Sequence, residues 1–96
     1  MDLLIVISTH QAANIARGLG EAALRAKLNW CVFLTNDGVR VLSDPAIANT
    51  LSQAATAVVC KESWKRYMGD AECPVDLGSQ THNSELAGEA QRIVSL

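Results

Sequence analysis

The stretch Ala57-Val58-Val59-Cys60-Lys61-Glu62-Ser63-Trp64-Lys65-Arg66-Tyr67-Met68-Gly69 changes its period midway. A short β-branched run ends at Cys60. Beyond it Trp64, Tyr67 and Met68 recur at i, i+3 and i+4, with Lys61, Lys65 and Arg66 on the other positions. Such a switch reads as a strand feeding directly into a short helix, with Gly69 beyond its last turn. Cys60 then stands at the carboxyl end of a strand and the amino end of a helix. Open α/β sheets collect their chemistry at that kind of junction. The positive end of a helix dipole also favours thiolate over thiol.

Outward from this junction, the same alternation continues in both directions. Leu3-Leu4-Ile5-Val6-Ile7 is apolar without alternation, the mark of a strand buried on both faces. Ser8 or Thr9 is placed to cap a helix whose apolar face is Ala12, Ile15, Ala16, Leu19, Ala23 and Ala26, with Glu21 and Arg25 as an i, i+4 pair. Gly18 and Gly20 within that helix point either to close helix–sheet contact or to a frayed last turn. Residues 30–35 read as a second strand, ended by the turn residues Asn36-Asp37-Gly38. Residues 39–42 suit a strand extension or a helical turn equally well. Asp44 as N-cap and Pro45 at the first position start the next helix, with Ile47, Leu51 and Ala54 or Ala55 on its buried side. After the third strand and its helix, residues 75–77 form a weak strand candidate, and residues 78–83 read as a loop in which His82 contributes only polarity. Asn83 or Ser84 then caps a helix to about Ala90, and residues 92–96 make a terminal strand. Strands alternating with helices predict one domain over residues 1–96. It should be an α/β fold, a three-layer α/β/α sandwich with a mostly parallel sheet of about five strands and right-handed crossovers.

Composition narrows the function. The 96 residues carry a net charge of −2, which disfavours direct nucleic-acid binding. No apolar run approaches the ~18 residues of a membrane span. The start lacks a basic segment, and Leu3 to Ile7 is too short for a signal-peptide core, so a cytoplasmic location is expected. Three cysteines without CxxC spacing are expected to be free thiols in a reducing compartment. Together with two histidines they make no zinc pattern, so no metal is expected. Ser8-Thr9-His10-Gln11-Ala12 lacks the glycines that let backbone approach a pyrophosphate, so no nucleotide or other cofactor is expected either.

Cys60 is the candidate nucleophile. The helix amino end and the cations Lys61, Lys65 and Arg66 should lower its pKa, with Glu62 opposing them. His10, after the first strand, is expected at the same sheet edge, either lining a shared cleft with Cys60 or standing as a solvated loop histidine. Cys31, inside an apolar strand, reads as a core residue. Cys73 could pair with Cys60 only if their Cα atoms approach within ~7 Å. The competing reading makes Cys60 a small buried hydrophobe. It places the Trp64, Tyr67 and Met68 face in a subunit contact of a non-catalytic, oligomer-forming subunit or binding module.

Three passages resemble the DsrE/DsrF/TusD-like family of sulfur-relay proteins. Cys31-Val32-Phe33-Leu34-Thr35-Asn36-Asp37-Gly38-Val39 is similar to a strand-to-turn signature of that family. Val58-Val59-Cys60 followed by Arg66 and Gly69 is similar to its cysteine, helix and Arg-Gly-type ending, and residues 84–94 are similar to its closing helix and strand. The resemblance implies a DsrEFH-like fold and a persulfide carried on the cysteine that corresponds to Cys60. Sulfane sulfur would pass between that cysteine and a TusA-like carrier or another donor or acceptor. It also implies a homo-oligomer, trimer or hexamer, or a heteromer with paralogues. Lys61, Lys65, Arg66 and His10 would support the thiolate and steer the partner.

Overall fold

The computed structural model describes residues 1–96. Five strands, β1 (Leu3–Ile7), β2 (Trp30–Leu34), β3 (Thr56–Cys60), β4 (Asp76–Gly78) and β5 (Arg92–Ser95), alternate with four helices. The helices are α1 (Ala13–Arg25), α2 (Pro45–Leu51), α3 (Lys61–Met68) and α4 (Gln80–Glu89). All strands lie in one sheet in the order β4-β3-β2-β1-β5, and every neighbouring pair is parallel.

From β1 to β4 the chain always steps toward the same edge, so right-handed crossovers put α1, α2 and α3 on one face. The return from β4 to the far side of β1 puts α4 on the other. The core divides accordingly. Its larger part joins Ile5, Val32, Leu34 and Val59 of the sheet to Ala16 and Ala23 of α1, Ile47 and Leu51 of α2, and Trp64 of α3. Its smaller part holds Leu4, Cys31, Phe33, Val58 and Cys60, covered by Leu86 and Ala87 of α4 and by Ala90 just past it. The result is a three-layer α/β/α sandwich with an all-parallel sheet, three helices on one side and one on the other. β2, central and covered on both faces, is buried at every residue, which is why it reads as an unbroken apolar run.

Several local expectations shift by a turn or less. The buried side of α1 is Ala16, Gly20 and Ala23, while Ile15 is 59 % exposed. A Cβ on Gly20 would stand 3.0 Å from the Thr50 methyl and 3.2 Å from the Trp30 ring. Only small residues fit at that contact, and the branched Ile15 turns outward. Gly20 is thus the close helix contact, whereas Gly18 faces open space. The ion pair on α1 is Arg17–Glu21 at 2.9 Å, one turn before the expected one. Thr9 caps a single 3-10 turn ahead of α1, its hydroxyl accepting from the Gln11 N–H at 3.3 Å. Residues 39–42 belong to a 3-10 run, Asn36–Ser43, that buries Val39, Val41 and Leu42. Gly38 within it lies so close to the Ile7 carbonyl that no Cβ fits. Asp44 caps α2 as expected, accepting from the Ala46 N–H at 2.9 Å.

The largest correction concerns α4. It starts at Gln80 instead of Asn83 or Ser84, with Ser79 as its N-cap. His82 Nδ1 accepts from the Ser79 N–H at 3.3 Å. The polar run taken for a loop is therefore the cap and first turn of the helix, with histidine in the reciprocal position where a capping box ordinarily carries Glu or Gln.

Candidate functional site: a thiol where the sheet's helices part

β3 and β4 are neighbours, but the helices that follow them leave toward opposite faces of the sheet. Between such strands the carboxyl edge opens into a crevice, the usual ligand position in open α/β sheets. Here it measures about 470 Å³ and runs between Cys60, Lys61 and Glu62 on one wall and Gly78, Ser79 and Gln80 on the other. The amino ends of α3 and α4 both open onto it. Gly78 keeps the walls close, since a Cβ there would stand 2.6 Å from Val58 Cγ1 and 2.7 Å from His82 Nδ1. A second cleft of about 260 Å³, lined by Thr35, Ser63, Arg66 and Gln80 among others, reaches Cys60 from the β2 side. Cys60 itself is 7 % exposed.

Cys60 ends β3 and is the N-cap residue of α3, next to amides that have no partner within the helix, though its side chain makes no capping hydrogen bond. Burial pushes the thiol up. The nearby Ser63 and Thr35 hydroxyls and the backbone N–H groups of Ser63 and Glu62 favour the anion and more than offset it, leaving the thiol below its ordinary value of 9.0. The direction matches the expectation, but the cause is different. Hydroxyls and amides stabilise the thiolate, whereas Lys61, Lys65 and Arg66 do not figure among the causes. Lys61 lines the crevice and Arg66 the second cleft, where its guanidinium sits 5.4 Å from the centre of the Tyr67 ring. Lys65 points to a separate groove beside Trp64 and Cys73.

His10 does not join this site. Its Nδ1 pairs with Asp37 Oδ2 at 2.7 Å, and it lines a different groove of about 520 Å³ beside Asn14, Arg40 and Asp44. β2 lies between β1 and β3 in the sheet, so His10 at the end of β1 is set apart from the β3–β4 edge, which sequence order alone does not reveal. Cys31 is buried, 3 % exposed, as expected. Cys73 packs against the core on the α1–α3 face, while Cys60 belongs to the core on the α4 face, so the two thiols stand on opposite sides of the sheet. All three cysteines are free. Burial, and the negative charge of Asp76, push the Cys73 thiol above its ordinary value. Trp64 fills the chain's own core, its indole N–H donating to the Ala71 carbonyl at 2.7 Å, whereas Tyr67 is 39 % exposed.

Three residues of the site escaped the sequence reading: Thr35, Ser63 and Gln80. Ser63 had a signal, since a hydroxyl three residues past the N-cap position lies back toward it on the helix surface. Thr35 and Gln80 reach Cys60 only through strand order, because β2 and β4 flank β3. No helix is long and apolar enough to cross a membrane. No family model, no curated protein and no solved structure matches this chain.

Proposed function

We propose that this chain is a sulfur-relay protein that carries a persulfide on Cys60. The observation that supports this reading best is the thiol's position at the β3–β4 crevice and at the amino end of α3, in surroundings that favour its anion. A thiolate is the attacking species in thiol and persulfide exchange, and the same surroundings can hold charge on sulfur again when it is released.

In the loading step, the Cys60 thiolate attacks the outer sulfur of a donor persulfide, R–S–SH. A new S–S bond forms to Cys60 as the donor's S–S bond breaks, and its electron pair leaves on R–S⁻. Cys60–S–SH remains, so sulfur moves with no external oxidant or reductant. In the discharge step an acceptor thiolate attacks the outer sulfur, and the Cys60 thiolate is the leaving group. A stabilised thiolate leaves readily, which suits a carrier.

The resemblance to the DsrE/DsrF/TusD-like family supplies the partners: a TusA-like carrier or a comparable persulfide protein as donor or acceptor, in the cytoplasm, with the chain assembled as a homo-oligomer or with paralogues. Lys61 and Arg66, at the two mouths leading to Cys60, would draw an acidic partner surface. The low exposure of Cys60 favours a second reading, in which the residue only fills space and the domain is a non-catalytic subunit.

One experiment separates the two. After incubation with glutathione persulfide, the intact mass should rise by one sulfur. Peptide mapping should put that sulfur on Cys60, with the gain kept in Cys31→Ser and Cys73→Ser and lost in Cys60→Ser. Absence of sulfur on Cys60 would refute the relay and leave the packing role.

A further inference from the structure

The wall of the crevice that faces Lys61 and Glu62 carries a histidine, and its place follows from the strand register. Cys60 and Gly78 are partners across β3 and β4, about one strand spacing, ~4.8 Å, apart. A Cβ on Gly78 would stand 2.6 Å from Val58 Cγ1, and 2.7 and 3.2 Å from Nδ1 and Cγ of His82. Val58 and Cys60, two apart in β3, share a face, and both belong to the core on the α4 side. The His82 ring therefore lies over Gly78, beside Cys60 on the same face of the sheet, and both residues line the crevice. Glycine at position 78 is what admits the ring.

The tautomer of that ring follows from its one hydrogen bond. The Ser79 backbone N–H donates to Nδ1 at 3.3 Å. A backbone N–H can only donate, so Nδ1 keeps its lone pair and the proton of the neutral ring sits on Nε2. His82 makes no other side-chain hydrogen bond within the chain, so the Nε2–H is unspent. The cap requires only an acceptor, which Glu would supply equally well. Histidine adds a donor on the far edge of the ring.

We propose that His82 is a binding residue for the sulfur that Cys60 carries: in the loaded protein its Nε2–H donates to the outer sulfur of the persulfide, held in the β3–β4 crevice. This inference deepens the relay reading and rests on it. The outer sulfur stands about 2 Å, one S–S bond, beyond the Cys60 sulfur. A persulfide is a stronger acid than a thiol, so the cargo gives its proton to water and sits in the crevice as Cys60–S–S⁻. Lys61 adds positive charge to the same crevice, and Glu62 opposes it. A donor aimed at the outer sulfur stabilises the loaded form. It leaves the empty thiol, one bond shorter, as it was.

The test is an equilibrium: the ratio of glutathione persulfide to glutathione at which half of Cys60 carries sulfur, read by peptide mass spectrometry at neutral pH. The decisive change replaces His82 by Nε2-methylhistidine in the full chain, joined by chemical ligation at Cys73. The methyl group removes the donor and leaves the Nδ1 acceptor to cap α4. The half-loading ratio should rise by roughly three- to tenfold, the weight of one hydrogen bond. His82→Leu should raise it as well, and His82→Gln, whose amide both accepts and donates, should stay near the wild type. Iodoacetamide should alkylate the unloaded Cys60 of the methylated protein at the wild-type rate. An unchanged half-loading ratio in the methylated protein overturns the proposal and leaves His82 a cap. So does an equal loss of alkylation rate, because the ring would then act on the empty thiol and not on the cargo. A wild type that takes up no sulfur on Cys60 refutes the relay and this inference together. A wild type that loads, with a methylated protein that loads equally well, refutes this inference alone.

Discussion

At the scale of single residues, the site depends on where protons can go. Ser63 is 8 % exposed and does two things at once, accepting from the Asn36 N–H at 2.9 Å and lining the second cleft beside Cys60, where it favours the thiolate. Ser63→Ala therefore has two expected consequences. It leaves the Asn36 amide without that partner, costing about 1–3 kcal/mol in a denaturant titration where water cannot reach it, and it raises the pH at which Cys60 becomes reactive. The thiol also links pH to stability. In the folded chain Cys60 ionises below its ordinary value of 9.0, so between those two points the native state has lost a proton that the unfolded state keeps. Stability from this group grows as pH rises through that window and is absent below the folded value. Cys73 has the opposite sign: its folded thiol stays protonated above the ordinary value, so its contribution falls as pH rises past 9.0. Melting temperatures of the wild type and Cys60→Ser should thus diverge in favour of the wild type from neutral pH toward 9.0, while Cys73→Ser should close on or overtake it at higher pH. A wild-type advantage that does not change with pH would contradict the assigned direction for Cys60.

At the scale of elements, glycine positions give the sharpest tests because the same substitution has opposite signs. Gly18 lies on the solvent side of α1 with nothing near a Cβ, so Gly18→Ala should stabilise the protein by roughly 0.5–1 kcal/mol through helix propensity. Gly38 presses on the Ile7 backbone carbonyl, which cannot rotate away as a side chain would. Gly38→Ala should cost about 1–3 kcal/mol or more and loosen the junction between β1 and the turn after β2. Chemical denaturation of both variants checks the pair. The elements themselves were largely legible in the sequence: β1, β2 and β3 as apolar runs, α2 from Asp44-Pro45, and the β3–α3 switch from its change of period. What misled was polarity with two meanings. Ser79-Gln80-Thr81-His82 looks like a loop by composition, and only the Ser79–His82 reciprocity identifies it as a cap. Ile15 looks like a core residue by periodicity, but packing distance decided that small residues, not large ones, face α2 and Trp30. Cys60 was legible because local sequence sets a strand–helix junction. Its neighbours Thr35 and Gln80 were not, because they are near only once β2, β3 and β4 are side by side.

At the scale of the whole molecule, the sandwich is lopsided. Three helices and the larger core hold one face, while α4, with no fully buried residue, covers the other through Leu86 and Ala87. β4 is a three-residue edge strand beside it. Local opening should follow that division: amides of β4 and α4 are expected to exchange with deuterium well before those of β1, β2 and β3, with the difference read by mass spectrometry of peptides. The least anchored layer is thus the one that forms the far wall of the Cys60 crevice, an arrangement that would let a partner reach a thiol that is otherwise nearly covered. Uniform exchange across both faces would remove that route. The relay itself is tested most directly by following isotopically labelled outer sulfur from a donor persulfide to an acceptor thiol in the presence of small amounts of the protein. Transfer should be faster with the wild type, label should be found in transit on Cys60, and Cys60→Ser should reduce the rate to that of the donor and acceptor alone. Transfer that is no faster with the wild type, or equally fast with Cys60→Ser, would contradict the account.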